Sequence, residues 1–203
     1  MRLFSPVLVL TAFLAPSLFA QQEIGLTVGV LSGPFRTSTS GVTLTLSETA
    51  AFQFNYARMV KSYKYADMYG EVHVMASPNT NVTSTLTTAT SGFSSLFVTP
   101  GVRFKFYPRK LLSPWLVAGG GYAHFLQSTK TIAGGVSASP RHRSTGAIAY
   151  GAGLDYAWSP RITFRAEARY FYTGSAEFNT PVQGSRQVNF VVGGGIVFHP
   201  GSR

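Results

Sequence analysis

The stretch Arg161-Ile-Thr-Phe-Arg-Ala-Glu-Ala-Arg-Tyr-Phe-Tyr172 decides the reading of this chain. Charged residues make up only 12% of the sequence, yet Arg165, Glu167 and Arg169 stand here two positions apart. Phe164, Ala166, Ala168 and Tyr170 fill the positions between and beside them. A period of two is the strand period, because successive side chains point to opposite faces. In a soluble sandwich the apolar face packs inward and the charged face meets water. In a membrane barrel the apolar face meets lipid and the charges look inward.

The remainder of the chain repeats the pattern. Eight segments alternate: Glu23 to Leu31, Ala51 to Val60, Met68 to Ala76, Phe93 to Tyr107, Trp115 to Phe125, Ala147 to Trp158, the opening stretch, and Val188 to Phe198. The connections after the second, fourth and sixth are short, ending in the pair Ser159-Pro160. Those after the first, third, fifth and seventh are long and polar. An even strand count, with short turns at one end and long loops at the other, predicts an eight-stranded antiparallel up-and-down transmembrane β-barrel. A sandwich has no reason to sort its loops by end. Segments of about ten residues also suit a tilted barrel wall.

Composition agrees. Aromatics and glycine are plentiful and cysteine is absent, which excludes thiolate metal sites and cysteine nucleophiles. The formal net charge is +10, but no Lys/Arg run exceeds two residues, so nucleic acid is not the expected partner. Residues 1–20 read as a signal peptide: Arg2, an apolar run from Leu3 to Phe13, and a cut near Ala20. Residues 21–203 then form one exported domain.

With apolar faces turned to lipid, Glu23, Glu71, His73, Arg103, Lys105, Asp155, Arg165, Glu167 and Arg169 point inward. Gln53, Asn55, Tyr69, Tyr122 and Asn189 join them. An Arg or Lys at mid-depth on the lipid side costs about 2–4 kcal/mol. Eight strands enclose a bore that side chains fill, so these charges are expected to pair with one another as a polar plug. The alternative is a narrow ion or solute channel lined by the same groups. Tyr56, Phe104, Phe106, Trp115, Phe125, Trp158, Tyr170 and Phe198 are the expected interfacial girdle.

Two hairpins carry a resemblance. Val98-Thr-Pro-Gly-Val-Arg-Phe-Lys-Phe-Tyr107 with Ser113-Pro-Trp-Leu-Val-Ala-Gly-Gly-Gly-Tyr-Ala-His-Phe125, and the following Gly151 to Tyr170, look like those of small bacterial outer-membrane proteins with the OmpA-type barrel fold. The resemblance implies the outer membrane, a lipid and lipopolysaccharide surround, and assembly by the barrel-assembly machinery. That family usually ends on an aromatic residue; here Phe198 is followed by His199-Pro-Gly-Ser-Arg203.

Chemistry is thinly signalled. The glycine runs 119–121 and 193–195 do not lead from strand into helix, so a phosphate loop is not expected. The four histidines lack metal-ligand spacing, and neither metal nor cofactor is expected. His73 and His124 read as lumen residues. His142-Arg-Ser144, with Asp155 beyond, faintly resembles the His-x-Ser arrangement of lipid A deacylases but lacks the Asn after the Ser. The expected function is a non-enzymatic structural or interaction barrel. Its long loops, including the Ser/Thr-rich stretches Thr37 to Gly41 and Ser77 to Gly92, are read as solvated and as the carriers of any extracellular contact.

Overall fold

The computed structural model describes residues 21–33, 35–176, 178–180, 182–184 and 186–200. The expected export signal therefore lies outside the described residues. Among the described residues there are ten strands: β1 (Gln22–Ser32), β2 (Arg36–Thr37), β3 (Thr43–Leu46), β4 (Thr49–Ser62), β5 (Ala66–Thr83), β6 (Gly92–Phe106), β7 (Leu112–Gln127), β8 (His142–Ala157), β9 (Ile162–Gly174) and β10 (Arg186–Phe198). Eight of them form the wall, each antiparallel to its neighbour in sequence. The wall closes through β1 on β10, in a register that pairs Ile24 with Phe198 and Val30 with Val192. Closure leaves no unpaired wall edge, which a sheet in lipid requires.

The turn β8–β9 shows how a short connection forms. Ser159 Oγ accepts hydrogen bonds from the backbone N–H groups of Arg161 at 3.3 Å and Ile162 at 3.1 Å. Pro160 fixes the bend between them. At the opposite end the strands outrun the ten residues a membrane needs. β5 has 18 residues, and its extension pairs with β3 through Thr45↔Thr83 and Leu46↔Val82. The extension carries a single large apolar residue, Val82, so alternation alone predicts an end at Ala76 although backbone pairing continues to Thr83.

The outer wall is apolar and exposed: Leu26, Val28, Phe52, Phe54, Val102, Leu116, Ile148, Leu154, Val192 and Ile196 all face outward. An exposed apolar band running around a closed barrel suits a lipid surround and no aqueous one.

The loops differ from the expectation of solvated segments. Leu44 and Leu46 of β3, Ala89, Ala176 and Phe178 are buried in one cluster with Leu31, Met75, Phe93, Phe97, Phe125, Phe171 and Val191 from the upper bore, and Ile132 and Val182 pack against it. All four long connections thus contribute an apolar side chain to a lid. Arg36 ties the first to the fourth, donating to Arg186 O at 2.6 Å, Gly184 O at 2.8 Å and Ser175 Oγ at 3.1 Å.

Candidate functional site

The lower bore is where the chain concentrates its charge. Glu23 on β1, Glu71 on β5, Arg103 and Lys105 on β6, Asp155 on β8 and Arg165, Glu167 and Arg169 on β9 are all buried inside the barrel. Strand alternation delivers them from five strands to one space. Four carboxylates face four cations, so the group is neutral as a whole.

The pairing is dense. Arg165 Nε lies 2.7 Å from Asp155 Oδ1, and its Nη2 is 3.2 Å from Glu23 Oε2. Lys105 Nζ bridges Asp155 at 2.8 Å and Glu23 at 3.1 Å. Arg103 binds Glu23 through Nη2, and its Nε is 3.2 Å from Glu71. Arg169 reaches Glu71 at 2.8 Å and Glu167 at 3.1 Å. No cation serves one carboxylate alone, so removing any member leaves a buried charge short of partners.

Trp115 sits at the centre of this network, not in the membrane girdle. It is 1% exposed, with the guanidinium carbons of Arg165, Arg169 and Arg103 at 5.0, 5.3 and 5.6 Å from its ring. Its indole N–H donates to Asp155 Oδ1 at 3.0 Å. An indole offers cations a π-face and a carboxylate a donor, so a lumen of arginines satisfies it better than lipid does. Gly153 makes the room, since a Cβ there would stand 2.3 Å from Trp115 Cζ2.

The same inversion applies along β7. Phe125, also expected in the girdle, is 0% exposed and packs edge-on against Phe93 and Phe97 in the upper bore. Tyr122 and His124, expected inside, point outward. Both faces of β7 are apolar or glycine-rich, so its alternation carries little contrast and does not tell the lipid side from the lumen side. Tyr56, Phe104, Phe106, Trp158, Tyr170 and Phe198 do lie on the outer side; Trp158 is the most exposed, at 66%.

The bore is therefore two-layered rather than polar throughout. Above the ion pairs, His73 Nε2 lies 3.1 Å from Gln53 Oε1, and the His73 ring stacks on Phe171 at 5.8 Å. Phe171 in turn meets Phe97 at 4.9 Å, where the apolar layer begins. Asn55 joins the lower layer by accepting from Arg165 Nη1 at 3.2 Å, while Asn189 Oδ1 accepts from Gln187 Nε2 at 2.6 Å. Tyr69 stacks beside Arg103, its ring 5.0 Å from the guanidinium carbon. At the turn end the bore opens into a cavity of about 370 Å³ bordered by Asp67, Tyr69, Lys105, Asp155, Thr163 and His199. His199 turns in after Phe198 and hydrogen-bonds the Thr163 hydroxyl at 2.9 Å, and burial pushes its imidazole below the usual range.

A triad of Ser144, His142 and Asp155 is not assembled. Ser144 and His142 face out from β8, whereas Asp155 faces in and is held by Arg165, Lys105 and Trp115. An odd separation along one strand puts residues on opposite faces. Among the described residues no cluster of three His, Cys, Asp or Glu side chains could hold a metal ion.

By sequence, no family and no curated protein matches the chain. By structure, it is similar to the outer membrane protein OprG from Pseudomonas aeruginosa, with a TM-score of 0.60 at 11% identity, over 89% of this chain and 95% of that one. It is also similar to Neisserial surface protein A (NspA), with a TM-score of 0.55 at 12% identity, over 89% of this chain and 98% of that one. The fold is that of the small eight-stranded outer-membrane barrels.

Proposed function

We propose that this outer-membrane barrel is closed to diffusion and works through its rims. The carrying observation is the filled bore. A neutral ion-pair layer around Trp115 occupies the lower half, and Phe93, Phe97, Phe125 and Phe171 occupy the upper half under a lid of loop residues. A conducting path needs a continuous polar or wetted bore, and the aromatic layer interrupts it. The loop tips carry the external contact in this reading: Phe35 and Val136 are 73% and 90% exposed, although Leu44, Leu46 and Phe178 of the long connections are buried. Lipopolysaccharide surrounds the loop end, the barrel-assembly machinery inserts the chain, and residues 1–20 are removed on export near Ala20.

The test is ion conductance of the refolded protein, residues 21–203, in a planar bilayer. No stepwise current is expected. Steady steps whose size changes in Glu71→Gln would instead make the lower bore a narrow channel and overturn the closed-barrel reading.

A further inference from the structure

The outer wall carries a polar cluster that the closed barrel does not use. On β7 and β8, His124 and Ser144 are direct cross-strand partners, and Tyr122 and His142 lie one alternation away on the same outward face. His124 Nδ1 is 3.0 Å from Ser144 Oγ. His142 Nδ1 is 3.3 Å from His124 Nε2. The Tyr122 hydroxyl is 2.7 Å from Ser144 Oγ. A hydroxyl, a base and a second imidazole thus stand in line, with a phenol beside the hydroxyl.

Two surroundings give the line a use. First, His124 also borders an apolar groove of about 330 Å³ on the outer wall, with Phe52, Ala76, Pro78, Leu96 and Leu126. The groove lies where the β5–β6 register breaks between Ser77 and Thr80. Second, the cluster sits at the loop end of the wall, beyond the outward-facing stack Tyr150–Tyr170–Phe190, whose rings are 5.3 and 4.6 Å apart. Aromatics of this kind mark the boundary between acyl chains and head groups. Lipid ester bonds lie at that boundary.

We propose that Ser144, His124 and His142 form an acyl-ester hydrolase site on the outer wall, with the groove holding the acyl chain of an outer-leaflet lipid. Ser144 Oγ attacks the ester carbonyl carbon, and its proton passes to His124 Nδ1. Tyr122 donates its hydroxyl proton as a hydrogen bond to the developing oxyanion. The carbon–oxygen bond to the alcohol breaks, the departing oxygen takes the proton from His124, and the acyl group stays on Ser144. Water then attacks the acyl carbon and gives a proton to His124. The carboxylic acid leaves as that proton returns to Ser144 Oγ. The sum is ester plus water to acid plus alcohol. His142 is a positioning residue: by accepting from His124 Nε2–H, it keeps Nδ1 free to act as base, the task a carboxylate performs in serine triads. The site is independent of whether the bore conducts.

The experiment uses refolded protein, residues 21–203, checked for folding by the different gel migration of unboiled and boiled samples. A fluorophosphonate probe is expected to add one adduct, located by mass spectrometry on Ser144, and none in Ser144→Ala. Hydrolysis of a twelve-carbon p-nitrophenyl ester is expected to fall on the order of 10³-fold in Ser144→Ala and His124→Gln. In His142→Gln it is expected to fall about tenfold to a hundredfold with a shifted pH–rate profile. Two vesicles identify the lipid: fatty acid released from phosphatidylethanolamine vesicles alone assigns a phospholipid, and release only when lipopolysaccharide is present assigns that lipid. Release from neither vesicle, or folded wild type that takes no adduct and turns over no faster than Ser144→Ala, overturns the proposal.

Discussion

Trp115 shows how much one side chain can organise. It presents its ring to three guanidinium groups and its N–H to Asp155, so it links both signs of charge in the lower bore. Arg165 is the most connected cation beside it, binding Asp155, Glu23 and Asn55. Arg165→Ala leaves two buried carboxylates underpartnered and is expected to lower stability by about 3–5 kcal/mol. Urea unfolding of the barrel in lipid vesicles measures this, and the loss should shrink in Arg165→Ala/Asp155→Asn. Gly153→Ala drives a methyl group into the indole and is expected to cost about 1–3 kcal/mol by overpacking. If that variant unfolds like wild type, the ring does not sit against β8.

At the scale of elements, β7 is the strand whose orientation needs a direct check. The two tryptophans make it easy, because Trp115 is inside and Trp158 is 66% exposed on the outer wall. Brominated lipid is expected to quench Trp158 strongly and Trp115 hardly at all, compared through Trp115→Phe and Trp158→Phe. Equal quenching of both would restore the opposite phase. The long connections form the second element-level feature. Phe178 is 1% exposed and meets Phe93 edge-on at 6.0 Å, so the fourth loop is a packed part of the lid. Phe178→Ala is therefore expected to destabilise the barrel by about 3–5 kcal/mol, as truncation of a buried aromatic does. A freely solvated loop would show no measurable change.

For the whole molecule, the net charge of +10 acquires a distribution. Four cations cancel four carboxylates inside the lower bore, so the excess lies outside it. Arg58, Lys61, Lys64, Arg109, Lys110 and Arg161 gather around the turn end, and Lys61 and Lys64 lie over the rings of Tyr63 and Tyr65, each at 5.1 Å. A basic rim beside an apolar band suits anionic lipid head groups at about 1 kcal/mol per cation near the surface. Reconstitution into vesicles with and without phosphatidylglycerol is expected to show tighter association with the anionic lipid, weakening as salt rises. Salt-independent association would remove the rim from the account.

The sequence by itself determined the eight strands of the wall, their antiparallel order and the sorting of turns and loops, but not the short loop strands β2 and β3. It also determined which end groups such as Arg165, Glu167 and Arg169 must turn inward. Each of these follows from a local rule, period two set against the cost of charge in lipid, and needs no distant partner. Seven of the eight strands contrast polar with apolar faces strongly enough for that rule to work. On β7 the contrast vanishes, so only closure of the barrel decides that Trp115 and Phe125 go in while Tyr122 and His124 go out. The apolar upper bore was equally hidden, because Phe97, Phe171 and Val191 resemble lipid-facing residues until the wall encloses them. The line from His142 through His124 to Ser144 joins two strands across a long loop, and register alone brings it together.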